Sequence, residues 1–154
     1  MNKIAVFPGS FDPVTMGHYN LVQRALPLFD KVVVAIGHNA YKQYFFSFDQ
    51  RLEWLRQVFA PFPQVAVDAY QGLTVDYCKK LGASYILRGL RTSADFEFER
   101  GIGQVNRMLD HKIETVFILA APELTPITSS IIRDVYRSGG DVSPFLPPGM
   151  KLTI

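Results

Sequence analysis

The apolar positions of this chain fall into short β-branched runs separated by stretches of helical period, and that alternation predicts a fold before any residue is counted. Ile4-Ala5-Val6-Phe7 reads as a buried strand. The turn signal Asp12-Pro13 separates it from a helical pattern that starts at Gly17 and is ended by Asp30 and Lys31. On that helix His18, Val22, Ala25 and Phe29 share a face, so an imidazole lies at the N-terminal end of a stripe that packs on a sheet. Val32-Val33-Val34-Ala35-Ile36-Gly37-His38 is apolar enough for a central parallel strand covered on both faces. A polar, aromatic loop follows from Asn39 to Phe46. Ser47-Phe48-Asp49-Gln50 then reads as a capping box for a helix through Phe59, with Leu52, Leu55, Val58 and Phe59 facing inward. Pro61 and Pro63 stop it, Val65-Ala66-Val67 is a short strand, and Gly72 opens a helix that Gly82 closes. Tyr85-Ile86-Leu87 is the fourth strand, ending in Arg88-Gly89-Leu90-Arg91. Thr92-Ser93-Ala94-Asp95 is a second capping-box candidate, for a helix reaching about Leu109. Thr115 to Leu119 forms the fifth strand, and Thr128-Ser129-Ser130 starts a last helix that Gly139-Gly140 terminates. The proline-rich tail from Asp141 is expected to be packed coil or a single turn.

Strands alternating with helices predict an α/β fold, a Rossmann-like doubly wound five-stranded parallel sheet with helices on both faces, in a single domain spanning residues 1–154. Ligands of such sheets sit beyond the carboxyl ends of the strands, where the strand order switches. The polar clusters Ser10 to His18, Asn39 to Lys42, Gln71 to Thr74, Arg88 to Arg91 and Pro122 to Ser130 all follow strands, so all are expected on one edge.

Composition narrows the function classes. At 48% hydrophobic and 19% charged residues, the 154-residue chain can bury one full core. A net charge of +2 without blocks of like charge offers no basis for a nucleic-acid partner, so phosphate sites should be local. The single cysteine, Cys78, excludes an internal disulfide framework and reads as a small buried hydrophobe. No apolar run approaches the roughly 20 residues that span a bilayer. The N-terminus enters a strand without a signal-peptide layout, so no membrane partner and a cytoplasmic location are expected.

The chemistry-bearing residues lack the two commonest nucleotide motifs, because no dinucleotide fingerprint follows the first strand and no P-loop occurs anywhere. Gly101 and Gly103 fall within a helical pattern and read as close-packing positions. The helix argument alone leaves His18 divided between a satisfied histidine at a helix start and an anion-binding one. Ser10 in the same turn, with Lys42, Arg88 and Arg91 from other loops on that edge, favours the second reading. Asp95 and Glu99 form a like-charge i, i+4 pair that needs compensation from Arg91, a neighbouring subunit or ribose hydroxyls. Thr128-Ser129-Ser130 is a helix cap at minimum and a second anion site at most. Asp12, Asp95, Glu97 and Glu99 present no all-protein metal cage, so no metal ligand is assigned, and Mg²⁺ would be held mainly by substrate phosphates and water.

The stretch Gly9-Ser10-Phe11-Asp12-Pro13 leading into Thr15-Met16-Gly17-His18, then Lys42, Arg88-Gly89-Leu90-Arg91, Asp95-Phe96-Glu97-Phe98-Glu99, Asn106-Arg107 and Ile127-Thr128-Ser129-Ser130, resembles the bacterial phosphopantetheine adenylyltransferases over essentially the full length. That family lies within the nucleotidyltransferases bearing a T/H-x-G-H motif. The motif alone would place only the superfamily, whereas R-G-L-R with D-F-E-F-E at this spacing is much more specific. The resemblance implies transfer of AMP from ATP to 4′-phosphopantetheine, giving dephospho-coenzyme A and pyrophosphate, with Mg²⁺ and in a homohexamer. It implies that Ser10, Lys42, Thr74 and Arg88 hold phosphopantetheine. Ser10, Phe11, His18, Gly89, Leu90, Arg91 and Glu99, with Leu124, Thr125, Pro126, Ile127, Thr128, Ser129 and Ser130, would hold ATP, and His18 would stabilise the transition state. Coenzyme A is a candidate feedback inhibitor. Ser10 stands where threonine is usual, Ala40 where proline is frequent, Thr74 where larger apolar residues are common and Thr128 where serine is usual. A sister enzyme acting on nicotinamide mononucleotide or a small alcohol phosphate, and a nucleotide-binding oligomer without turnover, are the competing readings.

Overall fold

β1 (Ile4–Gly9) is the strand on which the others assemble, because it has a neighbour on each side and must be apolar on both faces. In the computed structural model, which describes residues 2–152, the chain continues through α1 (Met16–Ala25), β2 (Lys31–His38), α2 (Phe48–Phe59), β3 (Val65–Gln71) and α3 (Thr74–Leu81). It then forms β4 (Tyr85–Leu90), α4 (Ser93–Leu109), β5 (Glu114–Leu119), a 3-10 turn at Pro122–Leu124, α5 (Ser129–Arg137) and a final 3-10 turn at Ser143–Phe145. Met1, Thr153 and Ile154, the ends of the expected 1–154 span, lie outside the described residues. The five strands are all parallel in the order β3-β2-β1-β4-β5, so the order reverses between β1 and β4. Ligands of doubly wound sheets collect at the carboxyl side of that gap.

The pleat sorts β2 onto two cores. Val32, Val34 and Ile36 meet Val22 and Ala25 of α1, Leu55, Val58 and Phe59 of α2 and Ile132 of α5 on one face. Val33 and Ala35 meet Val75, Tyr77 and Cys78 of α3 on the other. The doubly wound expectation holds, and the single turn in the tail holds with Val142, Leu146 and Met150 buried around it. Among the described residues no helix is long and apolar enough to cross a membrane.

Several boundaries differ from the pattern, each for a backbone reason. α1 stops at Ala25 rather than near Asp30, because Pro27 brings no N–H and its ring would meet the preceding turn. Phe29 still packs in the core from the turn beyond. β1 and β3 run on to Gly9 and Gln71 because β2 offers partners along its length, pairing Gly9 with Ile36 and Gln71 with His38. β4 likewise includes Arg88, Gly89 and Leu90, which pair with Phe117, Ile118 and Leu119 of β5. Ladder pairing there overrides the low strand preference of a Gly next to an arginine. Gly89 leaves room for Leu21 of α1, whose Cδ1 would lie 2.5 Å from a Cβ and would have to turn aside. Gly103 lets α4 approach Thr115 of β5, where a Cβ would meet Thr115 Oγ1 at 3.1 Å. Gly101 has open space instead, so the expected packing role applies only to Gly103 within this chain.

The core on the α1–α2 side holds the site edge in place, and Leu55 is fully buried in it. Leu55→Ala is expected to cost about 3 kcal/mol, the usual range for a buried leucine truncation, read as a lower urea midpoint at unchanged slope.

Candidate active site

The turn after β1 is built by a reciprocal pair of hydrogen bonds. Thr15 is the N-cap of α1: its Oγ1 accepts the His18 backbone N–H at 3.3 Å, and its own N–H donates to His18 Nδ1 at 3.0 Å. A histidine thus fills the position that Glu or Gln occupies in the ordinary capping box. Because Nδ1 accepts, the neutral ring carries its proton on Nε2. Gly17 belongs to the same device, since a Cβ there would press on Thr15 Oγ1 at 3.3 Å and approach the Ile127 carbonyl at 3.7 Å. Phe11 packs edge-on against the imidazole, with centroids 4.9 Å apart, and edge-on against Phe7. Phe11 holds φ at +46°, the left-handed region that non-glycine residues rarely adopt.

His18 is charged only with difficulty. Burial first, then the positive charges of Arg88 and Arg91, lower its pKa from 6.5 to about 4. The imidazole is therefore a neutral Nε2–H donor at physiological pH in the free protein.

Two cavities open at the carboxyl edge and share a wall. One, of about 410 Å³, is lined by Ser10, His18, Arg88, Gly89, Arg91 and the α5 start, among others. The second, of about 510 Å³, runs under Asn39, Lys42, Tyr70, Thr74 and Asn106. Ser10, Arg88 and Glu99 line both, so they form the partition at the β1–β4 gap. Arg88 is held at that partition. Its Nε and Nη2 donate to the two Glu99 oxygens at 2.9 and 2.6 Å, and Nη1 donates to the Pro8 carbonyl. Arg91 pairs with Asp95, which also accepts the Arg91 backbone N–H at 3.0 Å. The like-charge pair at Asp95 and Glu99 is thus compensated by two arginines, of which the sequence suggested only Arg91. Lys42 Nζ donates to Ser10 Oγ at 3.1 Å across the mouth of the second cavity. Thr74 hydrogen-bonds the Tyr70 hydroxyl at 2.8 Å, and Tyr70 stacks on Tyr77.

The structure brings together most residues that the resemblance points to. Ser10, Phe11, His18, Gly89, Arg91, Glu99, Leu124, Ile127, Thr128, Ser129 and Ser130 line the first cavity, and Lys42, Thr74 and Arg88 the second. Leu90, Thr125 and Pro126 line neither. Leu90 is buried, and the Thr125 hydroxyl turns back to the Ala121 carbonyl. Thr128 caps α5 through the Ile131 N–H, and Ser129 Oγ donates to the Pro13 carbonyl, which leaves Ser130 the more open hydroxyl. Four residues escaped sequence reasoning: Thr15, Asp12 as a loop anchor, Arg51 and Arg133. Thr15 was legible as a capping box with histidine in its last place. Arg51, 2% exposed, stands on the same face as Trp54, Leu55 and Val58, where the helical period could have found it, although its charge reads as surface. Arg133 donates to the Asp12 carbonyl and to Ser130 Oγ, at the rim of the first cavity. Among the described residues no three carboxylate, histidine or cysteine groups converge as a metal site. The carboxylates nearest the cavities, those of Asp12, Asp95 and Glu99, are each engaged by protein donors.

A cytidylyltransferase-like family model matches residues 6–135. The chain is 52% identical to the phosphopantetheine adenylyltransferase of Flavobacterium psychrophilum over 96% of this chain and 97% of that one. It is 48% identical to that of Phocaeicola vulgatus over 96% and 97%, and 43% identical to that of Limosilactobacillus reuteri over 97% and 86%. Among solved structures, the bifunctional NMN adenylyltransferase/ADP ribose pyrophosphatase of Francisella tularensis superposes with a TM-score of 0.69 at 17% identity, a likeness of fold. It covers 95% of this chain, which spans 45% of that longer one.

The depressed His18 pKa has a thermodynamic sign. Between the ordinary value of 6.5 and about 4 the unfolded chain binds a proton that the folded chain resists, so stability falls as pH falls through that window. His18→Gln keeps a capping-box side chain without titrating. It is expected to lose less stability than the parent between about pH 7 and about pH 5, as urea unfolding at both would read.

Proposed function

This chain belongs to the phosphopantetheine adenylyltransferase family, and on that premise we propose that its two joined cavities transfer AMP from ATP to 4′-phosphopantetheine by direct in-line attack. The products are dephospho-coenzyme A and pyrophosphate. The observation that carries this reading is the shared wall of Ser10, Arg88 and Glu99, which lets two phosphate-bearing ligands meet end to end. ATP occupies the cavity of His18, Arg91 and the α5 start, and the phosphopantetheine arm lies toward Tyr70, Thr74 and Asn106. Ser10 and Lys42 hold the acceptor phosphate, and Arg88, oriented by Glu99, faces both ligands.

The chemistry needs no protein nucleophile. An oxygen of the acceptor phosphate forms a bond to the α-phosphorus, the α–β bridging bond breaks, and its electron pair leaves with pyrophosphate. Catalysis then consists of positioning and charge stabilisation. His18 Nε2–H donates to an α-phosphate oxygen as negative charge builds there, and its neutral state is supported by the depressed pKa of the free protein. The Thr15 N–H keeps the ring turned so that Nε2, not Nδ1, serves as donor. Mg²⁺ fits this arrangement as a companion of the triphosphate, held by phosphate oxygens and water, and would offset charge on the departing pyrophosphate.

The same reading takes coenzyme A as a feedback inhibitor competing for this edge, a cytoplasmic location and a homohexamer. An interface is supported by the outer side of α4, where Phe98, Val105, Met108 and Leu109 are more than half exposed. A net charge of +2 without blocks of like charge gives no support to a nucleic-acid partner.

His18→Ala is expected to lower kcat by about 10²–10³-fold, the usual loss for one transition-state donor, while raising KM far less. His18→Gln retains the cap acceptor and an amide donor, so it is expected to lose less kcat than His18→Ala. A pyrophosphate-release assay with ATP and Mg²⁺ reads both, and 4′-phosphopantetheine is expected to outperform nicotinamide mononucleotide as acceptor. Undiminished turnover in His18→Ala would remove the histidine from the mechanism.

A further inference from the structure

We propose that Arg51 is a positioning residue for the acceptor phosphate, tying the Lys42-bearing loop to the Ser10 turn from beneath. The proposal rests on the reading that Ser10 and Lys42 hold that phosphate. Arg51 lies in the first turns of α2 and is 2% exposed, yet among the described residues no carboxylate comes within salt-bridge distance of it, Asp12 being a charge that acts on it from farther off. Its fork spans two segments instead: Nη1 donates to the Ser10 carbonyl at 2.8 Å, and Nε donates to the Phe46 carbonyl at 3.1 Å. The Tyr44 ring covers the guanidinium at 4.0 Å. Asp12, 6% exposed, completes the brace by accepting the Phe45 and Phe46 N–H groups at 2.7 and 2.9 Å.

Burying a guanidinium costs free energy that an apolar side chain would avoid, so packing alone does not explain an arginine here. Geometry does. The planar fork fixes the separation of the Ser10 and Phe46 carbonyls, and the Asp12 carboxylate fixes the height of the loop above the turn. Between Phe45 and the end of β2 the backbone of the loop makes, among the described residues, only local hydrogen bonds, from Tyr41 and Lys42 back to Asn39. The Lys42 ammonium thus reaches Ser10 Oγ from a segment held at its far end by the Asp12–Arg51 brace and by the packing of Phe46 on Trp54 and Tyr136. A lysine at position 51 would keep the charge but could not bridge both carbonyls and stack on Tyr44.

Steady-state kinetics of the full chain test this with Arg51→Lys, Asp12→Asn, Lys42→Ala and the double variants. Loss of one charge-assisted bond should raise KM for 4′-phosphopantetheine about tenfold in Arg51→Lys, with KM for ATP little changed. In the Lys42→Ala background the same substitution should raise acceptor KM much less than it does in the parent, because most of its effect passes through Lys42. Asp12→Asn turns an amide N–H₂ toward a loop N–H and should give the same acceptor-selective, non-additive rise. It decides the matter if Arg51→Lys does not fold. Equal rises in both KM values, full additivity with Lys42→Ala, or an unchanged acceptor KM would overturn the proposal. An unchanged acceptor KM in Lys42→Ala would instead overturn the reading of Lys42 itself, and the positioning role with it.

Discussion

The reciprocal hydrogen bonds between Thr15 and His18 are the constraint on which the edge depends. They do two kinds of work with one pair of side chains. As a helix cap they satisfy backbone donors at the start of α1, which lays Leu21, Val22 and Ala25 on the sheet. As a tautomer lock they commit Nδ1 to acceptance and leave Nε2–H for a ligand. Gly17 serves both, because a Cβ there would press on the Thr15 hydroxyl that makes the cap. The motif that names the superfamily is, in physical terms, a capping box whose closing member is ionisable.

Around that turn, charge is balanced before any ligand arrives. Arg88 and Glu99 neutralise each other at the partition, and Arg91 and Asp95 do so at the rim. Paired arginines keep their direction without leaving an uncompensated charge in a half-buried cleft. Their combined field still acts on the imidazole, and together with burial it keeps His18 neutral. The cavity walls and the protonation state of the donor therefore have a common cause.

Much of this was legible in the order of residues. Alternating apolar runs and helical periods give a doubly wound sheet almost unavoidably, and the polar clusters after each strand had to share its carboxyl edge. Boundaries were less legible where pairing with a neighbour decided them: Arg88 to Leu90 look like a loop until β5 supplies partners. The compensation of Glu99 by Arg88 was also hidden, since the two lie eleven positions apart on different elements and meet only after β4 and α4 pack. Arg51 is the sharpest case. Its spacing from Trp54, Leu55 and Val58 puts it on the apolar stripe of α2, but an arginine at a helix start ordinarily carries its head to water, and the two carbonyls that hold this one come from outside the helix.

Phe11 shows what the edge gives up for its geometry. A left-handed φ at a residue with a Cβ costs on the order of 1 kcal/mol, and glycine would relieve it. Glycine would also remove the ring that buttresses the imidazole at 4.9 Å. The chain keeps the ring and carries the strain, a local trade of thermodynamic stability for a stiff donor. Uniform stabilisation of this protein would thus have to leave its least relaxed residue alone.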